Sequence, residues 1–173
     1  MELILIRHGE PDYSNIDKNE NTIVSTRAHL SKRGEMQAKN IFQNNSNLLD
    51  KSQIIISSPF NRALETAEIL NKDLNLPLFI EDDFHEWLPD REFKYEINMI
   101  HKFYKDYKDK CGIRVDDEPW EEDLEVKKRV LECLNKYSNY DKIIIVAHSR
   151  LFKIVFDVKK CDFCSVNYIN FTI

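Results

Sequence analysis

Leu3-Ile4-Leu5-Ile6-Arg7-His8-Gly9-Glu10-Pro11 starts as a buried strand and stops abruptly in charge. Four aliphatic residues, too few for a helix, match a strand covered on both faces of a sheet. Two more runs share this character, Ile54 to Ile56 and Ile143 to Val146, and each also ends in polar residues. Between the runs lie segments of helical periodicity, and strand alternating with helix predicts an α/β fold with a mostly parallel sheet.

The intervening segments fit that frame. Ser31 is a plausible N-cap for a first helix that turns Ala38, Ile41 and Phe42 inward. Ser58 as cap and Pro59 at the first helical position predict a second helix, with Ala63, Ala67 and Leu70 inside and Arg62 in the first turn. Leu78 to Ile80 reads as a further strand. Phe93, Ile97, Ile100, Tyr104 and Tyr107 predict an amphipathic helix over about 92–107, and Val126, Val130, Cys133 and Tyr137 predict another. A short helix is expected after His148, with Leu151, Ile154, Val155 and Val158 facing in. Alternation of Ile169, Phe171 and Ile173 with Asn170 and Thr172 predicts an edge strand. These stripes are read as core, with no ligand assigned to them.

Residues 1–173 suit a single domain able to bury a core and keep a pocket. A formal net charge of -5 argues against a protein that coats nucleic acid or anionic membrane, so a bound anion must meet a local positive site. The chain enters its first strand by residue 3 with no basic leader, and no apolar run approaches a membrane span, so a cytoplasmic protein is expected. Cys111, Cys133, Cys161 and Cys164 do not make a disulfide framework. Cys161-x-x-Cys164 lacks the second pair of a structural zinc site, and reduced, partly buried thiols are expected.

In an open α/β sheet, ligands collect outside the carboxyl ends of the strands. Strand 3–6 ends in Arg7-His8-Gly9, strand 54–56 ends in Ser57-Ser58-Pro59 with Arg62 one turn on, and strand 143–146 ends in Ala147-His148-Ser149-Arg150. If these strands are neighbours, two histidines and two arginines share a crevice. Guanidinium forks match phosphate oxygens, and a neutral imidazole can attack phosphorus. A lone histidine at a strand end is ordinarily structural, but Arg62 in a first helical turn opposes the helix dipole unless an anion lies nearby. The conjunction points to phosphoryl chemistry.

At these residues the sequence resembles the histidine phosphatase superfamily, the phosphoglycerate mutase-like clan. Leu5-Ile6-Arg7-His8-Gly9-Glu10 is similar to its RHG signature, and Leu30-Ser31-x-x-Gly34-x-x-Gln37-Ala38 to the opening of its first helix. Ser57-Ser58-Pro59-x-x-Arg62-Ala63-x-x-Thr66-Ala67 resembles its second block, and Val146-Ala147-His148 the block with the second histidine. The resemblance spans residues 3–150 and implies a three-layer α/β/α sandwich. It makes His8 the phosphorylated nucleophile, with Arg7, Arg62 and His148 as the phosphate pocket and Glu86 as acid and then base. His85 and Asp83 stand as substitutes for Glu86. Neither a cofactor nor a metal is implied.

Two departures from the family pattern stand out. Pro11, Ser14 and Asn15 occupy the loop where many members carry a Thr and an Asn, leaving the phosphate contact from Ser14 or Asn15 open. Ser149-Arg150 replaces the glycine that commonly follows the second histidine. If that position needs positive φ, Ser149 is strained. Arg150 is either a third cation of the site or a solvent-facing charge. Gly9 is read as letting the backbone turn close to the phosphate.

The expected activity is a metal-independent phosphomonoesterase acting on a small phosphorylated substrate. The modest region between Glu86 and Val146 disfavours a phosphoglycerate mutase-like phosphotransferase. A catalytically silent member that binds a phospholigand or a partner is the alternative from another class. Lysines interspersed with acids give no nucleic-acid stripe. Tyr13, Trp87, Trp120, Phe103, Tyr104 and Tyr107 are available to line a pocket, although aromatics at helical spacing are more often core.

Overall fold

The computed structural model describes residues 1–17 and 19–172. Strands β1 (Glu2–Arg7), β2 (Ile54–Ser57), β3 (Leu78–Ile80), β4 (Lys142–Ala147) and β5 (Val166–Asn170) form a sheet in the order β3-β2-β4-β1-β5. Pairing is parallel throughout except for β5, which runs antiparallel to β1 along the edge. The helices are α1 (Lys32–Leu49), α2 (Asn61–Leu74), α3 (Ile100–Asp109), α4 (Asp123–Asn135) and α5 (Ser149–Phe156).

The two-residue period of the strands divides the core in two. Ile4, Ile6, Ile55, Ile144 and Val146 face Ala38 and Ile41 of α1 and Ala63, Ala67 and Leu70 of α2. Leu3, Leu5, Ile56, Ile143 and Ile145 face Val126, Val130 and Cys133 of α4 and Leu151 and Phe152 of α5. This is the expected three-layer α/β/α sandwich. Register then fixes where the chemistry lies: Arg7 pairs with Ala147 and Ser57 with Val146, so β1, β2 and β4 release their following loops at one edge.

Local details follow the side chains. Ser31 caps α1 by accepting from the Gly34 N–H at 3.0 Å. The second helix starts two residues later than its Ser-Pro signal predicts. Phe60 supplies the first carbonyl, to Ala63 and Leu64, and Ser58 turns its hydroxyl to His148 instead.

The helix expected over about 92–107 is shorter still: α3 starts only at Ile100, preceded by a 3₁₀ turn at Ile97–Met99. Asp90 accounts for the difference. Its buried carboxylate accepts from the Glu92 and Tyr95 N–H groups at 3.2 and 2.8 Å, taking backbone donors away from a helix, and Phe93 stands at φ 54°. The C-terminal edge strand is present as β5, with Ile169 and Phe171 packed on the core, while Ile173 of the predicted alternation lies outside the described residues.

Gly9 and Gly34 hold the first loop against α1 backbone to backbone. A Cβ on Gly9 would stand 2.7 Å from the Gly34 carbonyl oxygen, and one on Gly34 would collide with the Glu10 carbonyl oxygen. Gly9 has no positive φ, so its requirement is this close packing, a correction to the reading that it lets the chain turn near phosphate. Helix propensity alone would make Gly34→Ala stabilising by about 1 kcal/mol. The collision reverses the sign: we expect a cost of about 1–3 kcal/mol and a Tm lowered by roughly 3–10 °C. A Gly34→Ala protein that melts at or above the wild-type temperature refutes the close approach.

Candidate active site

His8 leaves the end of β1 with its ring buried, only 4 % exposed. Its Nδ1 lies 2.7 Å from the Gly9 carbonyl oxygen, and Arg62 donates from Nε to its Nε2 at 3.2 Å. A carbonyl can only accept and a guanidinium can only donate, so the network assigns the proton to Nδ1 and the lone pair to Nε2. That is the tautomer a nucleophile needs. Burial, then Arg62 and Arg7, hold the His8 ring far below the usual value of 6.5, at about 3, so it is neutral across the ordinary pH range.

Arg62 occupies the second position of α2 and is buried. Besides His8 it donates to the Ser25 carbonyl at 3.0 Å. Its pKa is lowered, chiefly by burial, with Tyr13 and Glu86 opposing and Arg7 reinforcing the shift. Thr66, one turn further along, accepts the Gly9 N–H at 3.0 Å and donates to the Arg62 carbonyl at 2.7 Å. It ties the His8 loop to the helix that carries Arg62. The sequence signal was the Arg62-Ala63-x-x-Thr66 spacing, which puts residues four apart on one helix face.

His148 follows β4 and is fully buried, its ring 5.0 Å from that of His8. Ser58 Oγ lies 2.7 Å from Nε2 and accepts from the Phe60 N–H at 3.3 Å. The other ring nitrogen of His148, Nδ1, is a buried atom with no partner among the described residues. Burial, Arg62 and His8 lower its pKa well below the usual range. Arg7 lies on a platform that sequence reading missed. Phe163 sits 3.9 Å beneath its guanidinium, which donates to the Cys161 carbonyl at 2.8 Å, while Nε is buried and unpaired. Orphaned buried donors beside cations are what an oxyanion would satisfy.

Glu86 is fixed at the start of α5: its carboxylate accepts from the N–H groups of Trp87 and Leu151 at 3.0 Å each and of Arg150 at 3.4 Å. The two substitutes are placed elsewhere. His85 stacks on Phe60 with its Nδ1 on the Glu86 carbonyl, and burial followed by Arg129 lowers its pKa. Asp83 lies with Glu81 and Cys133 on the other side of the strand ends.

A cavity of about 480 Å³ opens over Arg62 and Glu86. Tyr13, Ile16, Thr22 and Trp87 line it, with Phe93, Ile97 and Ile100, so residues read as a core stripe are pocket wall instead. Trp120, Phe103 and Tyr107 are core. Ser14 and Asn15 are not brought to this cavity. Ser14 is exposed, its N–H donating to Asp12 at 2.8 Å, and Asn15 lines a separate hollow with Arg27 and His29. Tyr13 and Ile16 of the same loop line the cavity, Ile16 also lining the second hollow.

Ser149 is the first residue of α5 and has no positive φ, so a serine there carries no backbone strain. Arg150 takes neither of its two expected places: its guanidinium lies 4.1 Å over the Tyr104 ring and about 5 Å from the Trp87 and Tyr107 rings.

The sequence matches the histidine phosphatase superfamily (branch 1) over residues 3–158. The chain belongs to this superfamily. An 83-residue stretch is 40 % identical to the uncharacterized phosphatase PhoE of Bacillus subtilis, and it covers 47 % of this chain and 40 % of that protein's length. Bacillus stearothermophilus YhfR shares the fold, with TM-score 0.72, 19 % identity, and 98 % of this chain and 90 % of that one covered. So does the mycobacterial glucosyl-3-phosphoglycerate phosphatase, solved with vanadate, at TM-score 0.70, 17 % identity and the same coverage. The alpha-ribazole phosphatase from Shigella flexneri gives TM-score 0.63 at 24 % identity, over 88 % of this chain and 76 % of that one.

The depressed histidines make an acid-side prediction. Between about 3 and 6.5 the unfolded chain binds a proton that folded His8 refuses, so the stability its neutral ring contributes is complete above pH 6.5 and is lost as pH falls through that window. Imidazole ¹⁵N shifts at pH 5 should report neutral rings at His8 and His148. Two rings titrating near 6.5 would contradict the buried-cation environment.

Proposed function

We propose that the chain is a metal-independent phosphomonoesterase working through a phosphohistidine on His8. The observation that carries this reading is the His8 tautomer, a neutral ring with its Nε2 lone pair turned toward a buried guanidinium. Phosphate oxygens replace the Arg62–His8 hydrogen bond and draw on Arg7, Arg62 and the free Nδ1 of His148. Nε2 attacks phosphorus, the ester P–O bond breaks in line, and protonated Glu86 gives its proton to the leaving oxygen. Water then attacks the phosphohistidine, Glu86 takes the water's proton, and the P–N bond breaks to release phosphate.

In this scheme the two arginines balance the phosphoryl dianion without a bound cation, neutral His148 adds a donor, and Glu86 lines the adjoining cavity. Ser14 and Asn15 have no role in this scheme. Residues 1–173 act as one domain in this reading, since both core clusters share one sheet. We place the protein in the cytoplasm on its four free cysteines. Among the described residues, no helix is long and apolar enough to cross a membrane.

Purified protein should release phosphate from 4-nitrophenyl phosphate in the presence of EDTA. His8→Ala should abolish release, and Glu86→Gln should lower turnover by about 10²–10⁴ with a smaller change in KM. Full turnover in either variant removes that residue from the mechanism.

A further inference from the structure

The wall of the cavity over Arg62 and Glu86 says what the ester's alcohol must be, an inference that rests on the phosphatase reading. Tyr13, Phe60, Leu88, Phe93, Ile97 and Ile100 give it a largely apolar surface. Among the described residues, Arg62 is the only lysine or arginine that lines it. Its threonine and serine hydroxyls are occupied as donors: Thr22 donates to Asp90 at 3.1 Å, Ser25 to the Thr22 carbonyl at 2.8 Å and Thr26 to the Ile23 carbonyl at 2.7 Å. A polyol entering here would lose water and find few donors in exchange, which costs affinity.

The wall is also built in advance. Asp90 binds Thr22 from one side of the cavity and the Glu92 and Tyr95 N–H groups from the other. The Thr22 N–H donates to the Tyr95 carbonyl and the Ile97 N–H to the Glu20 carbonyl, both at 3.0 Å. Phe93 lies within this braced segment at φ 54°, a conformation a bulky residue adopts only when its surroundings impose it. The imposed backbone makes an aromatic ring part of the cavity wall.

We infer that the substrate is a monophosphate ester of an apolar, ring-bearing alcohol, and that Phe93 is a specificity-determining residue for it. Aromatic walls select flat apolar groups by area and ring geometry.

The test compares primary alkyl esters, whose leaving groups are alike: 2-phenylethyl phosphate, ethyl phosphate, glycerol 3-phosphate and 3-phosphoglycerate. We expect kcat/KM for 2-phenylethyl phosphate to exceed each of the others by about 30-fold, the worth of burying one phenyl group. Phe93→Gly keeps a residue at ease with positive φ and removes the ring. It should reduce the 2-phenylethyl value about tenfold and the ethyl phosphate value by less than about twofold; an equal fall for both would mark mere misfolding and overturn the assignment of Phe93. Equal or better use of glycerol 3-phosphate or 3-phosphoglycerate by the wild type overturns the substrate class alone. If no ester is hydrolysed, 4-nitrophenyl phosphate included, the phosphatase reading falls and takes this inference with it.

Discussion

The hydrogen-bond chain from the Gly9 carbonyl through the His8 ring to Arg62 is the interaction on which the rest of this structure depends. It requires the end of β1 and the first turn of α2 to meet, and so requires β1, β4 and β2 to be neighbours in register. It requires Gly9 to lie against Gly34, because a side chain at either would push the carbonyl away. It also gathers buried His8, Arg62 and His148 with half-buried Arg7, an arrangement of cations and unpartnered donors stable in isolation only because both imidazoles stay neutral. In the reading proposed above, this is the electrostatic deficit that a phosphoryl dianion would fill.

Around this centre the elements divide the work by stiffness. The strands place the histidines with no freedom, and Thr66 fastens the His8 loop to α2. Glu86 comes from a loop, yet backbone donors on both sides of it, from Trp87 and from the start of α5, fix its position. Arg150 completes this corner by lying on Tyr104 between two further aromatic rings, so the charge two residues after the second histidine is absorbed by packing.

Much of this was legible in the sequence because short-range patterns carried it. β-branched runs fixed the strands, Ser31 fixed the start of α1, and the residues after three strands fixed where the polar groups converge. What failed were long-range captures of local signals. Ser58 looks like a cap, but His148, ninety residues away, claims its hydroxyl. The 92–107 periodicity looks like one helix, but Asp90 takes the backbone donors and turns Phe93, Ile97 and Ile100 into pocket wall. The Phe163 platform under Arg7 had no local signal, since it depends on the return of the chain into β5. Ser14 and Asn15 lie on the loop that brings Tyr13 and Ile16 to the cavity, and spacing alone does not reveal which side chains of a loop face a hollow.

The most direct measurement is to trap the intermediate. Protein mixed with a ³²P-labelled monophosphate ester, quenched in alkali within its turnover time and digested, should yield label on the peptide containing His8, at Nε2, with none in His8→Ala and more accumulated in Glu86→Gln as water attack slows. Label on another residue, or phosphate released without any labelled histidine, would contradict the central claim that the Gly9-His8-Arg62 chain exists to present a nucleophile.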